Sequence, residues 1–467
     1  MSDAQDDLSI NAWTGPAGKA SGELGPDAGK WGVRKHLQDY PQPLAAGEPV
    51  DERDWRHADV GWGLVLPDNE AFSRDERAKA ADASPPIKKL LAARPRAPVF
   101  RYRPDVKKGF LRRYTTDGKE RDIALSGSER GIGDQKLPWY MLIVGSPTEI
   151  PWQLQYLMNV SCFTGRLDLD QEGLGRYVDA LINDWKDSVA TSNRPVVWAV
   201  DHGQPDITWL MRHAIADPVA GNLRADDQIK DGITHLAGAA ATTSALIKAL
   251  GSARPAFVLT TSHGLTSPLD DPIAMAKQLG YLVDDQGAIL TPEALLDEWQ
   301  PDGAIWYAHA CCSAGSDDST SYKGLVTPGS LVEQTLEAVG SLGARVAPLP
   351  RALLGAAKPA RAFIGQVEPT FNYTLRNPEN RQVLTATIQK ALYNHMFRKQ
   401  PEPVGMALAP CYRHVGELFA LWEQLVRDVT KAVKDARAAA MNAQLMAVDR
   451  QSMVILGDPT AALPVLH

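Results

Sequence analysis

AIWYAHACCSAGS, residues 304–316, passes from an apolar run into two adjacent cysteines and a small-residue turn. Ile305 to Ala308 has no polar alternation, which is the pattern of a strand covered on both faces rather than one. Several other segments read the same way: Tyr140–Val144, PVVWAV at 195–200, AFVLTT at 256–261, ARAFIGQV at 360–367 and MVILG at 453–457. Helical patterning separates them. DQEGLGRYVDALINDWKDSV (170–189) places Leu174, Tyr177, Val178, Leu181, Ile182 and Trp185 at helical spacing. TPEALLDEW (291–299) opens with residues suited to a helix N-cap and first turn. A small-residue helix is expected over about 235–250, and two long helices over about 379–399 and 412–447. Strands alternating with helices predict an α/β fold, a mainly parallel sheet flanked by helices.

In such sheets, reactive groups gather beyond the carboxyl ends of the strands. Two of the expected strands end in candidates: FVLTTSHG (257–264) delivers His263, and the opening segment delivers Cys311. His263 stands 48 positions before Cys311 (311 minus 263), room for a strand, a helical crossover and a return strand. A thiol attacks as thiolate, and a neighbouring imidazole can take its proton and later protonate a leaving amine. Gly264 would let the chain turn sharply beside the histidine and free its amide for an oxyanion. Asp201-His202-Gly203, after another strand, has the same local pattern, so spacing alone leaves His202 and His263 both open. His309, Cys311 and Cys312 crowd together, but a structural zinc site needs four ligands and no second Cys or His pair is present. No metal or cofactor is expected.

Composition bounds the function classes. The chain has 467 residues, enough for two or three subdomains, with 44% hydrophobic and 22% charged residues. With 49 basic against 56 acidic residues the net charge is −7, so no global positive field favours a nucleic-acid partner. Met1–Ile10 lacks a secretory pattern, and no apolar run approaches the ~18 residues of a membrane helix. A cytoplasmic protein without membrane association is expected, its four cysteines mostly reduced. GSERGIG (127–133) precedes its strand and opens no helix, which argues against a phosphate loop. Residues 1–95, rich in Gly, Pro, Asp and Trp, are expected to form an extended, irregular arm.

FVLTTSHG followed by WYAHACCSAGS resembles the paired His-Gly and Ala-Cys blocks of clan CD cysteine peptidases, the group of caspases, legumains, gingipains and CHAT proteins. LPWYMLIVGSPTEIPWQLQYL with FTGRLDLD resembles the non-catalytic front half of gingipain-like enzymes. RAFIGQVEPTFNY and MVILGDPTAALP resemble the late strand and terminal block of gingipain-like and CHAT domains. The resemblance spans about 137–464. It implies two caspase-like subdomains, a non-catalytic one over 96–190 and a catalytic one over 191–467. It implies His263 as catalytic histidine and Cys311 as nucleophile, with the amides of Gly264 and Cys311 as oxyanion hole. Asp201, His202 and Cys312 are then expected to border the substrate cleft. The expected activity is cysteine endopeptidase cleavage of a protein or peptide, in regulated proteolysis or a bacterial defence pathway, with an activating partner protein as a further expectation. The arginine-specific gingipains carry an aspartate in the region matching 153–160, where this chain has QLQYLMNV and no acid. The rival expectation is a catalytically silent scaffold of the same fold that binds a partner protein.

Overall fold

Twelve strands of one sheet carry the fold. In chain order they are β1 (Trp62–Pro67), β2 (Val99–Tyr102), β3 (Phe110–Tyr114), β4 (Glu120–Ala124), β5 (Tyr140–Val144) and β6 (Phe163–Leu167). The second six are β7 (Val196–Ala199), β8 (Thr234–Ala237), β9 (Phe257–Thr261), β10 (Ile305–His309), β11 (Ala362–Gln366) and β12 (Met453–Gly457). The spatial order is β8-β7-β9-β10-β11-β12-β6-β5-β1-β2-β3-β4. β7, β8, β9, β10 and β11 run parallel, and β12 returns antiparallel to β11 and parallel to β6. The computed structural model describes residues 7–9, 21–23 and 50–466, apart from 116, 378, 379, 398 and 399.

Both faces of the sheet are covered. In β7, β9, β10 and β11, Trp198, Val258, Trp306 and Phe363 enter one core. Val197, Leu259, Tyr307 and Ile364 enter the other. This is the period-two alternation of a pleated strand with apolar residues on both sides, and it explains why the segments lack polar alternation. Helices Gln171–Ile182 and Thr243–Ala253 pack on the first face; Asp217–Ala225 and the first turns of Val404–Thr430 pack on the second.

The chain divides into two units, Met1–Asp51 and Glu52–His467. In the first, Asp7–Ser9 and Ser21–Glu23 pair antiparallel. The expected arm over 1–95 requires correction from residue 52 onward: Trp62–Pro67 is a sheet strand flanked by β2 and β5, and Pro85–Ala93 is a helix with Ile87 and Leu90 in the core. WGLVLP carries the same uninterrupted apolar run as the other central strands, but the Gly, Pro and Asp residues around it obscure that run. Most of 1–49 lies outside the described residues. One sheet runs through both 96–190 and 191–467.

The two halves of the sheet meet where β6 pairs with β12 through Arg166 and Leu456. A side-chain carbon on Gly165 would lie 2.1 Å from the Gly457 carbonyl oxygen, so the strands approach as closely as they do only without one. Arg166 is fully buried and donates to Gln155 Oε1 and to the carbonyls of Gly145 and Ile150. Asp458, also fully buried, accepts from Trp62 Nε1 at 3.0 Å and from Arg94 at 3.1 Å. The Gly-Arg-Leu and Leu-Gly-Asp-Pro elements are thus the seam between the halves.

Three helix expectations differ from the structure. The helix expected over 379–399 is helical only from Ala386 to His395, its last turn widened into a π-helix over Ala391–His395. The segment expected as a helix over 235–250 begins as edge strand β8 and turns helical only at Thr243. The helix expected over 412–447 is two helices, Val404–Thr430 and Ala436–Gln451, broken where Ala432 and Asp435 adopt positive φ. Among the described residues no helix is long and apolar enough to cross a membrane.

Candidate active site

Thr261, the last residue of β9, lies in register with His309, the last of β10. His263 and Cys311 each follow two residues later and so leave adjacent parallel strands at the same level. His263-Gly264 then pairs antiparallel with Leu282-Val283, which fixes the exit of β9. Gly264 lies against the backbone of Cys311: a carbon on its Cα would sit 1.9 Å from the Cys311 carbonyl oxygen. The two blocks, far apart in sequence, are in van der Waals contact.

The adjacent cysteines separate sharply. Cys312 has φ +55°, an unusual conformation for a residue with a side chain. Cys312 sits inside a cluster with Met275, Leu279, Val339 and Leu342, and Cys311, partly exposed, packs on the edge of the same cluster. Cys312 has no exposed surface, and burial pushes its thiol well above the ordinary range. The expectation that Cys312 borders the substrate cleft is corrected: it is a core residue. Burial also raises the Cys311 thiol, against the Thr370 N–H and side chain, which favour the thiolate. The Thr370 N–H donates to Cys311 Sγ at 3.3 Å, and the Thr370 hydroxyl lies 3.8 Å from it.

The His263 ring is oriented by a carboxylate that the sequence reading did not single out. Nε2 lies 3.1 and 3.0 Å from the two oxygens of Asp206. An ionised carboxylate only accepts, so Nε2 carries the hydrogen and, in the neutral ring, Nδ1 is the free base. Asp206 also accepts from Thr208 N–H and Oγ1, capping the helix that starts at Ile207. Burial works to raise its pKa, but the Thr208 bonds and His263 outweigh it and hold Asp206 below the usual carboxylate value. The signal available in the sequence was only an Asp-x-Thr cap in the loop after β7. Among the described residues the imidazole's side-chain hydrogen bonds go to Asp206, and the thiol's go to Thr370.

His202, exposed in the same loop, stacks on His263 with ring centroids 5.8 Å apart and planes 17° apart. It therefore borders the histidine rather than replacing it. Asp201 points away from a free role: Oδ2 accepts from Arg212 at 2.9 Å and Oδ1 from Gly203 N–H. Its charge is already paired.

Three acids near the Cys311 loop are buried. Glu368 accepts from Ser321 N–H at 2.9 Å, and Asp449 from Phe371 N–H at 3.0 Å. Burial, opposed by hydrogen bonds, pushes each of these carboxyls up to about 7. Asp317 accepts from Gln153 at 2.6 Å and is likewise raised, first by burial. His309 is buried, hydrogen-bonded at Nδ1 to Tyr307, and burial lowers it to about 4. Among the described residues no three His, Cys, Asp or Glu side chains are grouped to hold a metal ion.

Compared with known proteins, the chain matches no family model and no curated protein sequence.

Proposed function

We propose that the chain is a caspase-like cysteine endopeptidase, with Cys311 as nucleophile and His263 as general acid and base. The observation that carries this reading is the contact of the His263-Gly264 turn with the Cys311 backbone at adjacent strand ends. β7 to β12 supply the supporting frame, five parallel strands with an antiparallel sixth. The resemblance of the His-Gly and Ala-Cys blocks to clan CD enzymes points the same way.

In the proposed reaction, Asp206 holds Nε2–H and leaves His263 Nδ1 to take the thiol proton. The Cys311 sulfur attacks the peptide carbonyl carbon, forming the tetrahedral oxyanion beside the amides of Gly264 and Cys311. Collapse breaks the C–N bond, and His263 returns the proton to the leaving amine. Water, deprotonated by His263, then hydrolyses the thioester and regenerates the thiol. A protein or peptide is the substrate, and no cofactor takes part.

One observation favours the rival reading, a silent scaffold: the Cys311 thiol is bonded to Thr370 rather than to His263. Labelling with a library of peptidyl acyloxymethyl ketones, read by intact mass, separates the two. The peptidase reading requires a covalent adduct lost in Cys311→Ala and strongly reduced in His263→Ala, with Cys312→Ala still labelled. A folded protein that reacts with no peptide, even in the presence of cell extract as a source of activator, favours the scaffold.

A further inference from the structure

Thr370 packs directly against the Cys311 sulfur. Its amide nitrogen, hydroxyl and carbonyl oxygen lie 3.3, 3.8 and 4.0 Å from Sγ. A reacting carbonyl carbon must come to about 3–3.5 Å of the sulfur, so the side on which Thr370 packs is closed to it, although Cys311 as a residue keeps part of its surface exposed. Thr370 is itself only 9% exposed.

The segment that places Thr370 there is tied down at both ends. On one side, the Glu368 carbonyl accepts from Cys312 N–H at 3.3 Å and the Glu368 carboxylate accepts from Ser321 N–H. On the other, Phe371 N–H donates to Asp449, and the Tyr322 hydroxyl donates to the same carboxylate oxygen at 3.5 Å. The Tyr322 ring meets Phe371 edge-on, with centroids 4.8 Å apart. Tyr322 is buried although its neighbours Ser321, Lys323 and Gly324 are exposed. It is a peg inserted from a surface loop into the segment over the nucleophile.

We infer that residues 368–371 form a latch over the Cys311 thiol, held shut by Glu368, Asp449 and the Tyr322 peg, and that the latch must lift before a peptide reaches the sulfur. This inference rests on the peptidase reading for its purpose but not for its geometry. Opening is a local event: it breaks a few hydrogen bonds and one ring contact and leaves the sheet intact.

Alkylation of Cys311 by iodoacetamide tests the latch without any peptidase assay. The rate is followed by peptide mass in the intact, folded chain and corrected for the thiolate fraction measured from its pH dependence. The wild-type rate is expected at least about tenfold below that of glutathione. Tyr322→Phe, which loses only the hydroxyl bond, is expected to raise it about threefold, and Tyr322→Ala about tenfold, the range of one or two net hydrogen bonds. Slow alkylation of the buried Cys162 and Cys411 in the same digest certifies the fold, and Tyr322→Phe remains informative if the alanine variant unfolds. The latch is overturned if wild-type Cys311 reacts as fast as glutathione. It is equally overturned if the folded Tyr322→Phe variant reacts no faster, since Thr370 would then merely solvate the sulfur. Faster alkylation without peptide labelling would uphold the latch and remove the peptidase reading.

Discussion

Gly264 lies so close to Cys311 that a side-chain carbon on it would come within 1.9 Å of the Cys311 carbonyl oxygen and 3.0 Å of its nitrogen. Neither chain can yield cheaply, because one is paired with Leu282 and the other leaves the central strand β10. Gly264→Ala should therefore cost about 1–3 kcal/mol of stability, as overpacking does elsewhere. Urea unfolding measures that cost, and peptidyl ketone labelling of the folded fraction should be lost with it.

Asp206 sets the tautomer of His263, so its removal should damage chemistry more than folding. Asp206→Asn presents an amide that can donate where the carboxylate could only accept. On the proposed peptidase reading, turnover is expected to fall by about a hundredfold or more, the scale of a misdirected general base. The turnover number should drop while KM stays nearly constant; a change confined to KM would place Asp206 in substrate binding instead.

Glu368 and Asp449 make stability depend on pH. Their folded pKa values, near 7, lie above the unfolded values near 4. Between those limits the folded state holds protons that the unfolded state has released, so the unfolded state binds fewer and stability falls as pH rises. The contribution is fully present below about pH 4 and gone above about pH 7. Thermal melting at pH 5.5 and pH 8 should show the decline, and Glu368→Gln with Asp449→Asn should flatten it.

Asp458 joins Trp62, Arg94 and the start of the last loop at the seam of the sheet. Asp458→Ala leaves the Arg94 guanidinium buried without its carboxylate, and should cost about 3–5 kcal/mol. Chemical denaturation checks the figure. Arg94 stacks on both Trp55 and Trp62, so tryptophan fluorescence should report the same transition.

Cys312→Ala should preserve labelling at Cys311, because the Cys312 side chain faces Met275, Leu279, Val339 and Leu342. A modest loss of stability, about 1 kcal/mol for the missing buried sulfur, is expected from thermal melting.

How far the sequence reaches can be judged residue by residue. β5, β7, β9, β10, β11 and β12 were legible because uninterrupted apolar runs have one good use, a strand covered on both faces. β8 was not, since THLA has only half-buried side chains and owes its strand to pairing with β7, and β1 was hidden by the Gly, Pro and Asp around an otherwise clear apolar run. The helix expected from about 412 begins at Val404 instead, with Pro410 inside it, where a proline usually opens or breaks a helix.

By itself, then, the sequence determined the kind of sheet and the two strand ends that carry His263 and Cys311, because apolar periodicity and the residues that end it are local properties. Tertiary structure alone decided which cysteine is fully buried, at the positive φ of Cys312, and which carboxylate orients the histidine. It alone brought Thr370, 59 positions beyond Cys311, against the thiol. Contacts of that kind depend on where separate strands end in space, and no local pattern encodes such a distance.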